Sequence, residues 1–135
     1  MYKKILVPVL FDEGHDTGAS YAAARALASE GAEFIVMHVL EEIPAYASSE
    51  IPHDILEKTH RTAAQALEKS AKALPGATIA MISGHAGKTI VDYASEHNID
   101  CIVLASHRPG IEDFFLGSTA SRVVRHAKCS VHIFR

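Results

Sequence analysis

Apolar residues gather in five runs of strand length, at 4–10, 34–40, 78–83, 101–105 and 131–134. Between them lie four stretches, near 16–30, 53–74, 88–98 and 118–127, in which apolar positions recur at helical spacing. Runs such as Phe34-Ile35-Val36-Met37 show no polar alternation, as expected of strands buried on both faces. Strands that alternate with helices imply right-handed crossovers and a mainly parallel sheet. The expected fold is α/β: a single open five-stranded parallel sheet with helices on both faces, Rossmann-like, in the strand order 3-2-1-4-5.

Stop signals follow three of the helical stretches: Gly31 after the first, Pro75-Gly76 after the second and His97-Asn98 after the third. The connection 41–53 contains Pro44, Tyr46, Ser48, Ser49 and Pro52, which favours an irregular loop, or an entry to the long second helix, able to act as a lid. No linker or low-complexity tract interrupts the 135 residues, so one domain spanning 1–135 is expected.

Charge narrows the partners. Sixteen acidic residues against thirteen basic ones leave a formal charge of −3, so there is no broad basic field to attract nucleic acid or an anionic membrane. The opening run 4–10 is too short for a membrane span and lacks a small-residue cleavage site, so no membrane insertion and a cytoplasmic location are expected. Cys101 and Cys129 each begin a predicted strand and read as reduced core residues.

In an open α/β sheet a ligand binds beyond the carboxyl ends of the strands, where strand order reverses. Here that brings the loop after the first strand, Leu10 to Gly14, opposite the loop after the fourth, Ser106 to Gly117. The second of these loops enters the last helix through Gly117-Ser118-Thr119. Glycine lets a ligand approach the backbone closely, and the free amides of Ser118, Thr119 and Ala120 carry the positive end of the helix dipole, an anion site. The plainer reading is a helix entry in which Gly117 turns the chain and Ser118 caps the helix, with Val123, Val124 and Ala127 on its apolar side. His107 and Arg108 in the same loop add a group that titrates near neutrality and a guanidinium fork.

Several segments together resemble one family. Lys3-Lys4-Ile5-Leu6-Val7-Pro8-Val9, His38-Val39, Gly84 with Ile90 and Ala94, and Leu116-Gly117-Ser118 through Val123, Val124, His126-Ala127 and Cys129-Ser130-Val131 are similar to the universal stress proteins. These are small cytoplasmic α/β domains, many of which bind an adenine nucleotide. The likeness covers the whole chain, and Ala105-Ser106-His107-Arg108-Pro109 with Leu116-Gly117-Ser118 resembles the branch containing the enterobacterial stress proteins F and G.

The resemblance implies ATP or AMP as ligand, with Mg when ATP is bound, held by Pro8, Val9, Leu10, Asp12, Val39, Gly84, Ala105, Ser106, His107, Arg108, Gly110, Gly117, Ser118 and Thr119. The family's phosphate loop runs Gly, two residues, Gly, nine residues, Gly, then Ser or Thr. Here Ala105 takes the first Gly position and Arg108 the second, Gly110 follows two residues later, and the span to Gly117 is one residue shorter. Arg108 can replace lost backbone amides with a charged fork. Family members often end the first strand with an Asp where this chain has Leu10; either Asp12 takes over, or the base relies on the Val39 backbone and apolar contact with Val9. Glu112 and Asp113 oppose phosphate unless they point outward or help hold a metal ion.

Gly84-His85-Ala86-Gly87-Lys88-Thr89 opens a helix after a strand, yet only two residues separate its glycines, too few for a P-loop; Gly84 reads as a turn near the nucleotide's edge and Lys88 as a solvated residue of the helix start. The nine histidines, His53 and His60 among them on one helical face, form no metal-ligand set. No Gly-x-Ser-x-Gly elbow or paired-acid motif supplies a nucleophile and base, so sensing without turnover is expected. Weak ATP hydrolysis or autophosphorylation stays open through the resemblance. The last strand, 130–135, is an apolar edge, and the resemblance implies a homodimer through it. The competing function is a scaffold that binds a protein partner, such as a transporter or kinase, and no nucleotide.

Overall fold

The computed structural model describes residues 1–9, 17–41, 45–105 and 117–134. Its elements are β1 (Tyr2–Pro8), α1 (Thr17–Leu27), β2 (Ala28–Leu40), α2 (Ala45–Ser48), α3 (His53–Ala71), β3 (Thr78–Ser83), α4 (Ala86–Glu96), β4 (Cys101–Ala105), α5 (Ser118–His126) and β5 (Ser130–Phe134). The five strands form one parallel sheet in the order β3-β2-β1-β4-β5, as the alternation of runs predicts.

Successive side chains of a strand point to opposite faces, so the uniformly apolar strands feed two cores. Ile5, Val7 and Val9 of the first strand and its extension join Val36, Cys101 and Val103 against Tyr21 and Ala24 of α1 and Leu67 and Ala71 of α3. Leu6, Ile35, Met37, Val39, Ile102 and Leu104 build the other core with Ile90 and Ala94 of α4 and Ala120 and Val123 of α5. On the first face the Tyr21 hydroxyl lies 2.5 Å from Ser70 Oγ, and Arg25 donates to the Ala73 carbonyl at 3.0 Å, which ties α1 to the end of α3. At the amino ends of the strands, Asp100 Oδ2 accepts the Lys3 and Lys4 amides at 2.8 and 3.1 Å and so fastens β1 beside β4.

Boundaries depart from the sequence pattern where pairing outweighs local preference. The first helix, expected near 16–30, ends at Leu27, and β2 begins at Ala28 rather than 34. Tyr2 pairs with Ala28 and Lys4 with Glu33, so β2 advances five residues while β1 advances two. Gly31, expected as a helix stop, lies in this irregularity with φ +75°, a conformation that favours glycine. The second helix closes at Ala71 rather than 74, followed by a turn whose Leu74 is buried, with Gly76 at φ +83°. The third helix runs Ala86–Glu96 rather than 88–98, with Asn98 left-handed just beyond it. Within 41–53 the chain forms the single turn α2.

On α5, Val123 is fully buried but Val124 is 48 % exposed, which corrects its expected place on the apolar side: only Ala120 and Val123 of α5 are buried. Cys101 and Cys129 are free, and their side chains join opposite cores. Burial, with Cys129 as a lesser cause, pushes the Cys101 thiol up to about 11, and burial raises Cys129 as well. Both are therefore thiols at neutral pH, with little nucleophilic character.

Candidate functional site

Strand order reverses between β1 and β4, because successive crossovers move outward from β1 to β2 and β3, then return to its other side. The carboxyl ends of these two strands are thus where the fold opens a ligand crevice. Pro8 ends β1 half-buried, and Val9 follows it, buried, with its amide donating to the Met37 carbonyl at 2.8 Å. That bond orients the ladder: Met37 turns its peptide groups toward β1, and Val39, two residues on, has the same orientation. There β1 has already ended, so the N–H and C=O of Val39 face the crevice side. His38 Nδ1 donates to the Val9 carbonyl at 3.1 Å, which fixes the imidazole tautomer and pins the strand exit.

On the other side of β1, Ala105 ends β4 half-buried and paired with Phe134. Gly117, Ser118 and Thr119 form the entrance of α5. The capping assignment differs from expectation: Gly117 is the N-cap, at φ −57° and ψ 158°, and Ser118 is the first helical residue. Among the described residues no side chain caps this end, whose first internal bond is Ser121 N–H to the Gly117 carbonyl at 2.8 Å. The preceding amides keep their donors for another acceptor. The Gly117 backbone is one that any residue adopts, so glycine is not demanded there by φ.

Leu10, Asp12, Ser106, His107, Arg108 and Gly110 lie outside the described residues, as do Glu112 and Asp113. Gly84 stands apart from the switch point. It follows β3, the outermost strand, and its amide donates to the Leu40 carbonyl at 2.9 Å. Its φ of +150° and the closeness of Thr89 Oγ1, 2.6 Å from where a Cβ would lie, both call for glycine. Lys88 is solvated as expected, paired with Asp92 at 2.6 Å across one helical turn.

Two features at the start of α4 left no mark in the sequence. Glu41, at the exit of β2, accepts the Ala86 amide at 3.2 Å and lies 3.9 Å from His85 Nδ1, so a residue 45 positions away serves the start of α4. Gly87 in the first turn of α4 lies under the Arg122 side chain of α5. A hollow of about 420 Å³ runs beside α4, from Ile82 and Gly84 to Tyr93 and Glu96. It lies beside the outermost strand, away from the switch point, and mixes Lys88 with Asp92 and Glu96. Among the described residues no three metal-ligating side chains converge, and no helix is long and apolar enough to cross a membrane.

Known proteins share this architecture. Universal stress protein MJ0531 of Methanocaldococcus jannaschii is 30% identical over 145 residues, covering 100% of this chain and 83% of that protein. Universal stress protein G of Escherichia coli O157:H7 is 27% identical over 142 residues, with both chains fully covered. Among solved structures, hypothetical protein MJ0577, whose structure was used to assign its biochemical function, superposes with a TM-score of 0.80 at 25% identity, over 98% of this chain and 95% of that one. The universal stress protein from Archaeoglobus fulgidus in complex with dAMP, 19% identical, matches the fold with a TM-score of 0.68 over 99% and 98% of the two chains. The model of the universal stress protein family matches residues 1–135, and the chain belongs to that family.

Proposed function

We propose that the chain, acting as one domain over 1–135, holds ATP or AMP at the β1/β4 switch point and works as a homodimeric sensor or regulator in the cytoplasm. The observation that carries this reading is the entrance of α5, uncapped by any described side chain and aimed at the crevice where the fold takes ligands. Phosphate oxygens satisfy the amides of Ser118, Thr119 and Ala120. The adenine edge offers one donor and one acceptor, which complement the C=O and N–H that Val39 turns past the end of β1. The dAMP held by the Archaeoglobus protein supports the ligand class for this fold. Pro8, Val9, Leu10, Asp12, Ala105, Ser106, His107, Arg108 and Gly110 complete the surroundings in this reading, Gly84 standing apart beside β3, and Mg accompanies ATP.

The backbone at Gly117 is open to any residue, which makes a clean test. Gly117→Val should fold with nearly unchanged stability but bind ATP and AMP at least about tenfold more weakly, since the new side chain stands in the path of the phosphate. Calorimetric titration of nucleotide-stripped protein, with and without magnesium, measures this beside a thermal melt. Saturable binding lost in the variant supports the reading; no binding by folded wild type overturns it and favours the scaffold, the reading that the altered loop positions Ala105 and Arg108 also suit.

Dimerisation rests on β5, the edge strand of the sheet, unpaired on its outer side among the described residues. Ser130 donates to the Asp100 carbonyl at 3.2 Å, so alternation turns the amides of Val131 and Ile133 outward. Pairing two such edges about a twofold axis covers both. Val131→Pro removes one outward donor while sparing the ladder to β4, and sedimentation velocity should then show a monomer where the wild type is a dimer. A dimer that survives the substitution would move the interface elsewhere.

A further inference from the structure

Arg122 is held in an unusual way. A Cβ on Gly87 would lie 2.7 Å from Arg122 Cδ, 3.0 Å from its Cβ and 3.1 Å from its Cγ, so the arginine stem lies flat on the α4 backbone. α4 packs over β2 and α5 over β5, which runs the seam between the two helices beneath β1 and β4. The open end of that seam is the switch point. Arg122 sits four residues into α5 from Ser118, hence on the same face and about 6 Å along the axis. A helical side chain leans toward its own N-terminus, which carries the guanidinium toward the crevice.

Among the described residues the surroundings of the stem lean positive. The stem crosses the first turn of α4 beside the first turn of α5, the positive ends of two helix dipoles. Lys88, the next residue after Gly87, is already paired with Asp92. Glu41, whose carboxylate lies at the start of α4, is engaged by the Ala86 amide and lies beside His85. Among the described residues Arg122 has no carboxylate partner. A cation whose stem is seated on Gly87 within this local field is suited to an anion arriving from outside, and a guanidinium fork matches phosphate geometry.

We propose that Arg122 is the residue that reads phosphate number, meeting the outer phosphates of a nucleoside triphosphate whose inner phosphate rests on the α5 amides. This inference rests on the nucleotide reading above. The site then prefers ATP to AMP by a contact that the monophosphate is too short to make.

Arg122→Gln keeps the stem over Gly87 and removes the charge. Calorimetric titration of ATP, ADP and AMP into wild type and this variant should show ATP about tenfold weaker, ADP intermediate and AMP within about twofold of wild type. Gly87→Ala, which displaces the stem without touching the charge, should weaken ATP in the same direction, with a thermal melt confirming that it folds. Equal losses for all three nucleotides, or no loss for ATP, overturn the role of Arg122 while leaving the site in place. A folded wild type that binds none of them overturns the nucleotide reading itself, and this inference with it.

Discussion

Leu6→Ala should lower the free energy of unfolding by about 3 to 4 kcal/mol, the range for a large buried side chain truncated where the surroundings cannot collapse. Leu6 has 0 % exposure in the central strand, flanked by Ile35 on one side and Ile102 on the other. It shares a core with Ile90, Ala94 and Val123 from the two helices on that face. Neighbours on both flanks and above leave no element free to move into the void. Urea titration should show the midpoint falling with an unchanged slope, and the melting temperature dropping by roughly 10 °C or more. Val124→Ala is the matched control: at 48 % exposure it should change stability by no more than about 0.5 kcal/mol. A loss below about 1 kcal/mol at Leu6 would contradict the two-sided burial on which the architecture depends.

Gly84→Ala should cost about 2 to 3 kcal/mol, from two causes that a double-mutant cycle separates. The first is backbone strain, because φ is +150° and a Cβ disfavours that region. The second is steric, because the new Cβ would meet Thr89 Oγ1 at 2.6 Å. Thr89→Ala removes that oxygen, so Gly84→Ala introduced into it should lose only the strain share, leaving a coupling energy of about 1 kcal/mol by urea denaturation. Full additivity would mean that the helix start yields freely and that Gly84 matters for φ alone. The turn carries weight because Gly84 is bonded to Leu40 and stands just before Gly87, over which Arg122 lies.

Much of the candidate site's place in the fold, though not its detail, is legible in the residues. The entry Gly117-Ser118 into the last helix and the apolar runs before it are local signals, and chain order alone brings them to the crevice. Details decided across the sheet were not legible. Ser118 reads as a cap because Ser is a common cap residue, but the chain enters the helix one residue earlier, so Gly117 takes that role. Gly31 reads as a helix stop, yet pairing of Ala28 with Tyr2 draws the preceding residues into β2 and leaves Gly31 at an irregularity. Val124 follows Val123 in a helix too short for periodicity to tell which of two adjacent valines faces the sheet.

The sequence by itself determined the alternation of strands and helices, the parallel sheet and the end of it at which strand order reverses between β1 and β4, because burial on both faces and the short chain between elements leave few other arrangements. Only the tertiary structure decided the contacts between residues distant in the chain. The Asp100 carboxylate on the Lys3 and Lys4 amides, Glu41 at the start of α4 and Arg122 laid over Gly87 each join elements that meet through the sheet rather than along the chain. Hydrophobic periodicity records which face of an element is buried. It holds no information about which partner waits there, since apolar burial is non-directional and these polar contacts depend on side-chain geometry that exists only once the sheet has closed.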